Sequence, residues 1–326
     1  MRARRGAALD TTGDDFSEYH VPPRRILMHH PRHGLSLERL SRERLVELNF
    51  LELPHTPELY TEYDAFVALL GTHVETLYLD DVIGDHEPFH AEAASNPNLI
   101  FMRDSSVTLP WAPDKFIPTR PALPSRAREA VVVSAALQRL GMSPLTQFDH
   151  DEYLEGGDVL PVTFNDKRVL LVGFGVRTTK AAAIKLALDL IPQHVDYIIG
   201  LSHDPELLHL DTGFTVLPEK VILAAAGMFG AGFLIDEERR LSAVNPLAYA
   251  EALGCSIIRC NKADAIAHER CNLLPLGNRR YLAFDLPGEL KAVLEKAAGI
   301  RIDVVKGTEI AKATGGVHCL TRPLYI

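Results

Sequence analysis

Cysteine is scarce in this 326-residue chain: there are four, Cys255, Cys260, Cys271 and Cys319. Their spacing matches no zinc pattern, and they are too few for a disulfide scaffold. The first three read as buried apolar thiols in a reducing compartment. Long apolar runs are also missing. The longest uncharged one, 221–235, has 15 residues and three glycines, short of the roughly 20 that a membrane helix needs. Nor is there a basic surplus. Lys and Arg number 34 against 43 Asp and Glu, a net charge of −9. That balance argues against nucleic acid as a partner and is compatible with a cationic one. Basic residues open the chain, but no apolar segment follows and Asp10 comes soon after. No secretory leader is expected, and the chain reads as cytoplasmic.

What is present suits an ordinary globular protein, with 47% hydrophobic and 24% charged residues. The length allows one large domain or two ordinary ones. Residues 1–20 are polar and lack periodicity, which predicts a disordered tail ahead of a single domain over 21–326. From Arg24 the pattern is α/β. Strands are expected at 25–29, 74–79, 169–174, 197–201, 256–259 and 281–284, with a strand pair at 214–217 and 221–223. Helices are expected at 59–70, 126–140 (stopped by Gly141), 178–191 (capped by Thr178), 246–253 and 288–298. Residues 85–97 read as a polar connector. Helices and strand pairs recur at uneven intervals, a pattern that alone does not choose between an open sheet and a propeller.

Four polar clusters sit in apolar sequence. His209-Leu-Asp211, if on a strand, would project both polar side chains from one face; a structural histidine at a strand end is the plainer alternative. Glu155-Gly-Gly-Asp158 offers two acids across a pair of glycines that permit close backbone approach, or else a solvated turn. Phe101-Met-Arg-Asp104 ends an apolar entry in a carboxylate, and could equally be a surface strand end. Thr314 to Cys319 (Thr-Gly-Gly-Val-His-Cys) presents the remaining thiol. Together they supply a thiol, a histidine and four carboxylates, an inventory suited to covalent chemistry on a planar cation such as guanidinium. Two glycine groups are decoys. Gly173-Phe-Gly175 with Asp196 imitates a dinucleotide fingerprint, but Thr178 stands at the third glycine position. Gly227, Gly230 and Gly232 lack the Lys-Ser/Thr of a phosphate loop.

In order along the chain, these segments resemble the arginine deiminase branch of the guanidine-modifying (amidinotransferase-like) superfamily. The resemblance runs from Arg25-Ile-Leu-Met-His-His-Pro-Arg and Leu37-Glu-Arg-Leu40 through the four clusters, with Asn98-Leu-Ile ahead of the first and Gly173-Phe-Gly-Val-Arg-Thr-Thr179 between them. It implies a pentein-type propeller of five ββαβ modules. It also implies Cys319 as nucleophile, His209 as general acid/base, Glu155 as the acid orienting that histidine, and Asp104 and Asp211 as the grip on the guanidinium. Asp158 falls among the substrate-binding positions, and Asn98, Phe101, Arg126 and Arg177 match those that hold the amino-acid end.

Two departures are visible. The family's helical-bundle insert has no room in 85–97, and Thr314 stands where an arginine usually helps bind the substrate carboxylate. The resemblance implies hydrolysis of a small cationic guanidino substrate through a Cys-bound amidino intermediate, releasing ammonia and a ureido product. Amidino transfer, dihydrolysis to an amine, methylarginine hydrolysis and a silent guanidino-binding protein are the alternatives. No cofactor, metal or membrane partner is expected; a homodimer is left open.

Overall fold

The computed structural model describes residues 21–33 and 40–326. The expected tail and the start of the Leu37–Leu40 segment lie outside the described residues. Within them the strands form five sheets, four of three strands and one of five. Each three-stranded sheet combines one antiparallel and one parallel pairing. The five-stranded sheet has its parallel step between Lys167–Phe174 and Tyr197–His203, joined by the helix Lys180–Leu190. A parallel neighbour cannot be reached by a tight turn, so a helix lies between the two strands each time.

The first and last strands share a sheet. Arg25–Met28 lies between Glu75–Tyr78, its parallel partner, and Arg322–Leu324, its antiparallel one. This pairing draws the segment carrying Cys319 back to the start of the fold. The helix Thr56–Leu70 covers this region. Its Leu59, Tyr63, Phe66 and Leu70 are fully buried at helical spacing, one apolar stripe. Burial of each such side chain contributes on the order of 1.5–3 kcal/mol. Tyr63 also donates its hydroxyl to the His29 carbonyl at 2.9 Å, so the stripe's polar tip is satisfied.

Several sequence expectations coincide with the structure, including Ser256–Arg259, Gly288–Ala298 and the stop after Ala127–Arg139, where Gly141 takes φ +87°. The expected strand pair at 214–223 is an antiparallel hairpin whose turn places Glu219 and Lys220 at positive φ. Two expectations change. The helix Lys180–Leu190 is capped by the Thr179 side chain, not Thr178. Residues 85–97 contain a helix, Glu87–Ser95, with proline in its first turn, where a missing N–H costs nothing. The strands Ser106–Leu109 and Ala112–Pro118 were not expected, although Ser106-Val-Thr-Leu109 alternates polar and apolar residues; Ala112–Pro118 does not. No helix among the described residues is long and apolar enough to cross a membrane.

Candidate active site

The polar clusters lie on turns, not on strands. Asp104 follows the single 3-10 turn Pro97–Ile100, and Glu155 precedes the 3-10 turn Gly156–Asp158. These two turns are fastened together. The Gly156 amide donates to the Asp104 carbonyl at 2.9 Å, and a Cβ on Gly156 would strike the carbonyl oxygens of Arg103 and Ser106. The C-terminal segment is fastened to the same place. The Arg103 amide donates to the Cys319 carbonyl at 3.0 Å, and the buried Arg322 guanidinium donates to the carbonyls of Arg103 and Ser106.

His209 and Asp211 converge by a helical turn, which replaces the shared strand face as the reason. His209 is the extended N-cap of Leu210–Gly213. Asp158 fixes that turn: its Oδ1 accepts the Leu210 amide at 2.8 Å and faces His203 Nε2 at 3.1 Å. Asp158, expected among the substrate-binding positions, is thus fully buried beneath the turn and holds it.

Glu155 meets His209 as the resemblance implies. His209 Nε2 lies 2.7 Å from Glu155 Oε2, and His209 Nδ1 lies 3.6 Å from Asp104 Oδ1. Burial disfavours charge on both partners. Even so, the Asp104 charge and the Glu155 hydrogen bond raise His209 to about 9, while His209, Arg126 and Arg177 lower Glu155 to about 2. The proton therefore belongs to the imidazole at neutral pH.

Arg126 and Arg177, expected at the amino-acid end, have guanidinium groups committed to acids of the site. Arg126 donates to Asp104 Oδ2 at 2.8 Å, to Glu155 Oε2 at 3.4 Å, and by its other edge to Glu129 at 2.7 Å. Arg177 reaches both Glu155 oxygens at 3.3 Å. Glu129, fully buried, escaped the sequence reading although Arg126 and Glu129 have the i, i+3 spacing that pairs side chains on a helix.

Cys319 is 4% exposed, with Sγ 3.6 Å from Asp211 Oδ2. Two residues missed by the motif reading complete its surroundings. Asn272 Nδ2 lies 3.1 Å from Sγ while its Oδ1 accepts the His318 amide at 2.8 Å. His318 Nδ1 lies 2.7 Å from Asp211 Oδ2. Burial pushes the Cys319 thiol well above its usual range, and the charges of Asp211, Glu269 and Asp104 push it further. Phe101 is buried against Gly315, where a Cβ would strike its ring. Asn98 donates to the Leu48 carbonyl at 3.2 Å and keeps its Oδ1 without a hydrogen bond.

Gly157 marks the middle of the site. A Cβ there would stand 2.8 Å from Asp104 Oδ1, 3.0 Å from His209 Cγ and 3.1 Å from Asp211 Oδ1. The two aspartate oxygens are therefore within about 6 Å of each other, and both are buried without a hydrogen-bond partner. Asp104, Glu155 and His209 also offer atoms within 4.8 Å of one another, a spacing that suits a metal. The Arg126 guanidinium already holds that side of Asp104 and Glu155, which disfavours a second cation between them.

The arginine deiminase family model matches residues 86–325. An arginine deiminase of Rhodococcus jostii (strain RHA1) is 29% identical over 249 residues, covering 70% of this chain and 60% of that protein. One from Mycobacterium avium (strain 104) is 27% identical over 311 residues, covering 89% and 71%. The chain thus spans about 60% of the length of the first of these relatives. Among solved structures, the N-terminal domain of ArgZ, an arginine dihydrolase from Cyanobacteria, aligns with a TM-score of 0.69 at 19% identity, covering 92% of this chain and 97% of that one. A dimethylarginine dimethylaminohydrolase adduct aligns with a TM-score of 0.65 at 19% identity, covering 92% and 99%. These two share the fold. With a family match over most of its length, the chain belongs to the arginine deiminase family.

Proposed function

We propose that this chain hydrolyses the guanidino group of arginine or an arginine-like substrate, releasing ammonia and a ureido product. One observation carries the reading: Asp104 Oδ1 and Asp211 Oδ1, buried and without hydrogen bonds, converge at Gly157 beside a cysteine thiol. A buried carboxylate oxygen left without a donor costs about 1–3 kcal/mol, and a guanidinium offers N–H donors and charge to both. In the same reading the five sheets are modules of a five-bladed pentein-type propeller, residues 21–326 are one catalytic domain, and the enzyme is cytoplasmic.

Substrate enters as a cation. Its charge offsets the acids that hold Cys319 neutral, so the thiol gives its proton to solvent and the thiolate forms beside the bound carbon. Sulfur attacks the guanidinium carbon and an S–C bond forms. His209, protonated at the outset, passes its proton to the departing nitrogen; the C–N bond breaks and ammonia leaves. The imidazole is now neutral and can take a proton from water, whose oxygen attacks the amidino carbon. The S–C bond then breaks as the new hydroxyl becomes the carbonyl and gives its proton to solvent, leaving the ureido product and the thiolate. Asp104 and Asp211 orient the cation throughout.

The test is a screen for ammonia release over arginine, agmatine, methylated arginines, guanidino acids and citrulline, with product identification. A ureido product supports the proposal. An ornithine-type amine indicates a dihydrolase, a methylamine indicates methylarginine hydrolysis, and transfer to an added amine indicates an amidinotransferase. Saturable binding with no product from any compound leaves a silent binding protein.

A further inference from the structure

The Cys319 sulfur has two unlike polar neighbours, Asp211 Oδ2 at 3.6 Å and Asn272 Nδ2 at 3.1 Å. A carboxylate accepts a hydrogen bond from the thiol but opposes a thiolate. An amide N–H does the reverse: it donates to sulfur in either state, and more strongly to the anion. Burial and the charges of Asp211, Glu269 and Asp104 hold the thiol neutral, while the Gly316 backbone amide works against them. His318 and His209 stand against two of those acids, Asp211 and Asp104. Asn272 is the side chain whose contact with the sulfur favours the charged form.

The direction of that amide is fixed by its other bonds. Asn272 is 1% exposed. Its Oδ1 accepts the His318 amide at 2.8 Å, and its Nδ2 donates to the Asp211 carbonyl at 3.2 Å. Turning the side-chain amide over would set N–H against N–H at the first contact and oxygen against oxygen at the second. An N–H is therefore what faces Sγ. The seat is shaped for this side chain: a Cβ on Gly316 would strike Asn272 Oδ1, and the Asn272 backbone amide donates to the Glu269 carbonyl at 2.9 Å. One buried amide thus joins the turn carrying Asp211 to the loop carrying Cys319.

We propose that Asn272 is a further catalytic residue, which donates a hydrogen bond to the Cys319 sulfur and holds it as the thiolate, both when the substrate cation arrives and when the S–C bond breaks. No proton passes through the amide; its hydrogens stay on nitrogen throughout. The proposal rests on the covalent guanidino reading and deepens it by naming the donor that its thiolate uses. A hydrogen bond to an ion favours that ion by roughly ten- to a hundredfold.

The experiment uses the full chain as wild type, Asn272→Ala and Asn272→Asp. Alkylation by iodoacetamide is followed at Cys319 by mass spectrometry against pH, beside kcat, KM and melting temperature. Asn272→Ala should raise the alkylation midpoint by about one to two pH units and lower kcat by about ten- to a hundredfold, with KM held. Asn272→Asp keeps an acceptor for the His318 amide but sets an oxygen against the sulfur, so its midpoint should rise at least as far. Cys319→Ala and Cys319→Ala/Asn272→Ala are titrated calorimetrically against L-arginine and agmatine, and their affinities should match, because the amide acts on sulfur. A midpoint unmoved in both single variants overturns the proposal. So does an affinity loss in the double variant as large as the loss in kcat, which assigns Asn272 to guanidine placement. Failure of both single variants to fold assigns it to the scaffold and overturns the proposal as well. Wild type that releases no ammonia from any guanidino compound fails the reading itself, and the proposal falls with it.

Discussion

The buried polar cluster has two sides that treat charge differently. On one, Arg126 and Arg177 meet Glu129, Glu155 and Asp104 in a network in which each guanidinium has an acid at 3.4 Å or closer. On the other, Asp211 and Cys319 lie together with a carboxylate oxygen unanswered and a thiol held neutral. Both sides are equally dry. The paired side supplies its own counter-charges, and of its acids Asp104 alone keeps an oxygen, Oδ1, without a hydrogen bond and turned to the site. The unpaired side is poised for a cation, because that is what lowers its energy.

Exchanging the roles of the two sides is the sharpest way to break this comparison. Cys319→Ala on the unpaired side should lower turnover by about 10⁴-fold or more while leaving the fold intact. Ammonia release near the wild-type rate would remove sulfur from the chemistry. Arg126→Ala on the paired side should behave in the opposite way. It leaves Glu129, Asp104 and Glu155 facing one another, and denaturant unfolding should register a loss of about 3–5 kcal/mol. Asp211→Asn should weaken guanidine binding with a far smaller stability change, because His318 keeps a partner there. Equal destabilisation by Arg126→Ala and Asp211→Asn would erase the distinction between the sides.

The pH dependence sharpens it further. His209 binds its proton more tightly in the fold, to about 9 against an ordinary 6.5. Its contribution to stability is therefore complete below 6.5 and disappears as pH rises through about 9. Glu155 runs the other way. Lowered to about 2 from an ordinary 4.5, it contributes above 4.5 and loses that contribution as pH falls towards 2. Since His209 gives the first proton, kcat/KM should also fall as pH rises through about 9. A rate profile flat to pH 10 would mean that another group protonates the leaving amine.

The paired and unpaired sides were not equally legible in the sequence. Asp104, Glu155, His209, Asp211 and Cys319 were found because each sits in a short polar motif inside apolar sequence, and the structure brings all five together. Their local geometry was not found: His209-Leu-Asp211 suggested a strand because i and i+2 share a face there, whereas a capped helical turn also makes them converge. Glu269 left no trace because its helix, Lys262–His268, buries only Ala265 and so lacks an apolar stripe. His318 was within the cysteine motif yet had no role until Asp211 appeared beside it. The commitment of Arg126 to buried acids could not be read from a one-residue match, since a guanidinium binds a protein carboxylate as well as a ligand's.

Thr178 and Thr179 give the smallest effects and the finest test. Thr179 caps the helix Lys180–Leu190 by accepting the Ala182 amide at 3.2 Å, so Thr179→Ala should cost about 1 kcal/mol of stability. Its hydroxyl also accepts the Tyr153 amide at 3.2 Å, two residues before Glu155, but it does not bond Glu155 itself, and kcat should hold. Thr178 is fully buried, and its hydroxyl accepts the Glu155 amide at 3.1 Å. Thr178→Val keeps the shape but leaves that amide unpaired beside the carboxylate that orients His209, for a similar cost of about 1–2 kcal/mol. The two losses match in size and differ in consequence. Only Thr178→Val should displace the alkaline limb of the rate profile, because only it disturbs the paired side where Glu155 holds the imidazole. If both threonine variants keep the wild-type limb, the paired network does not depend on that hydroxyl to set the proton on His209.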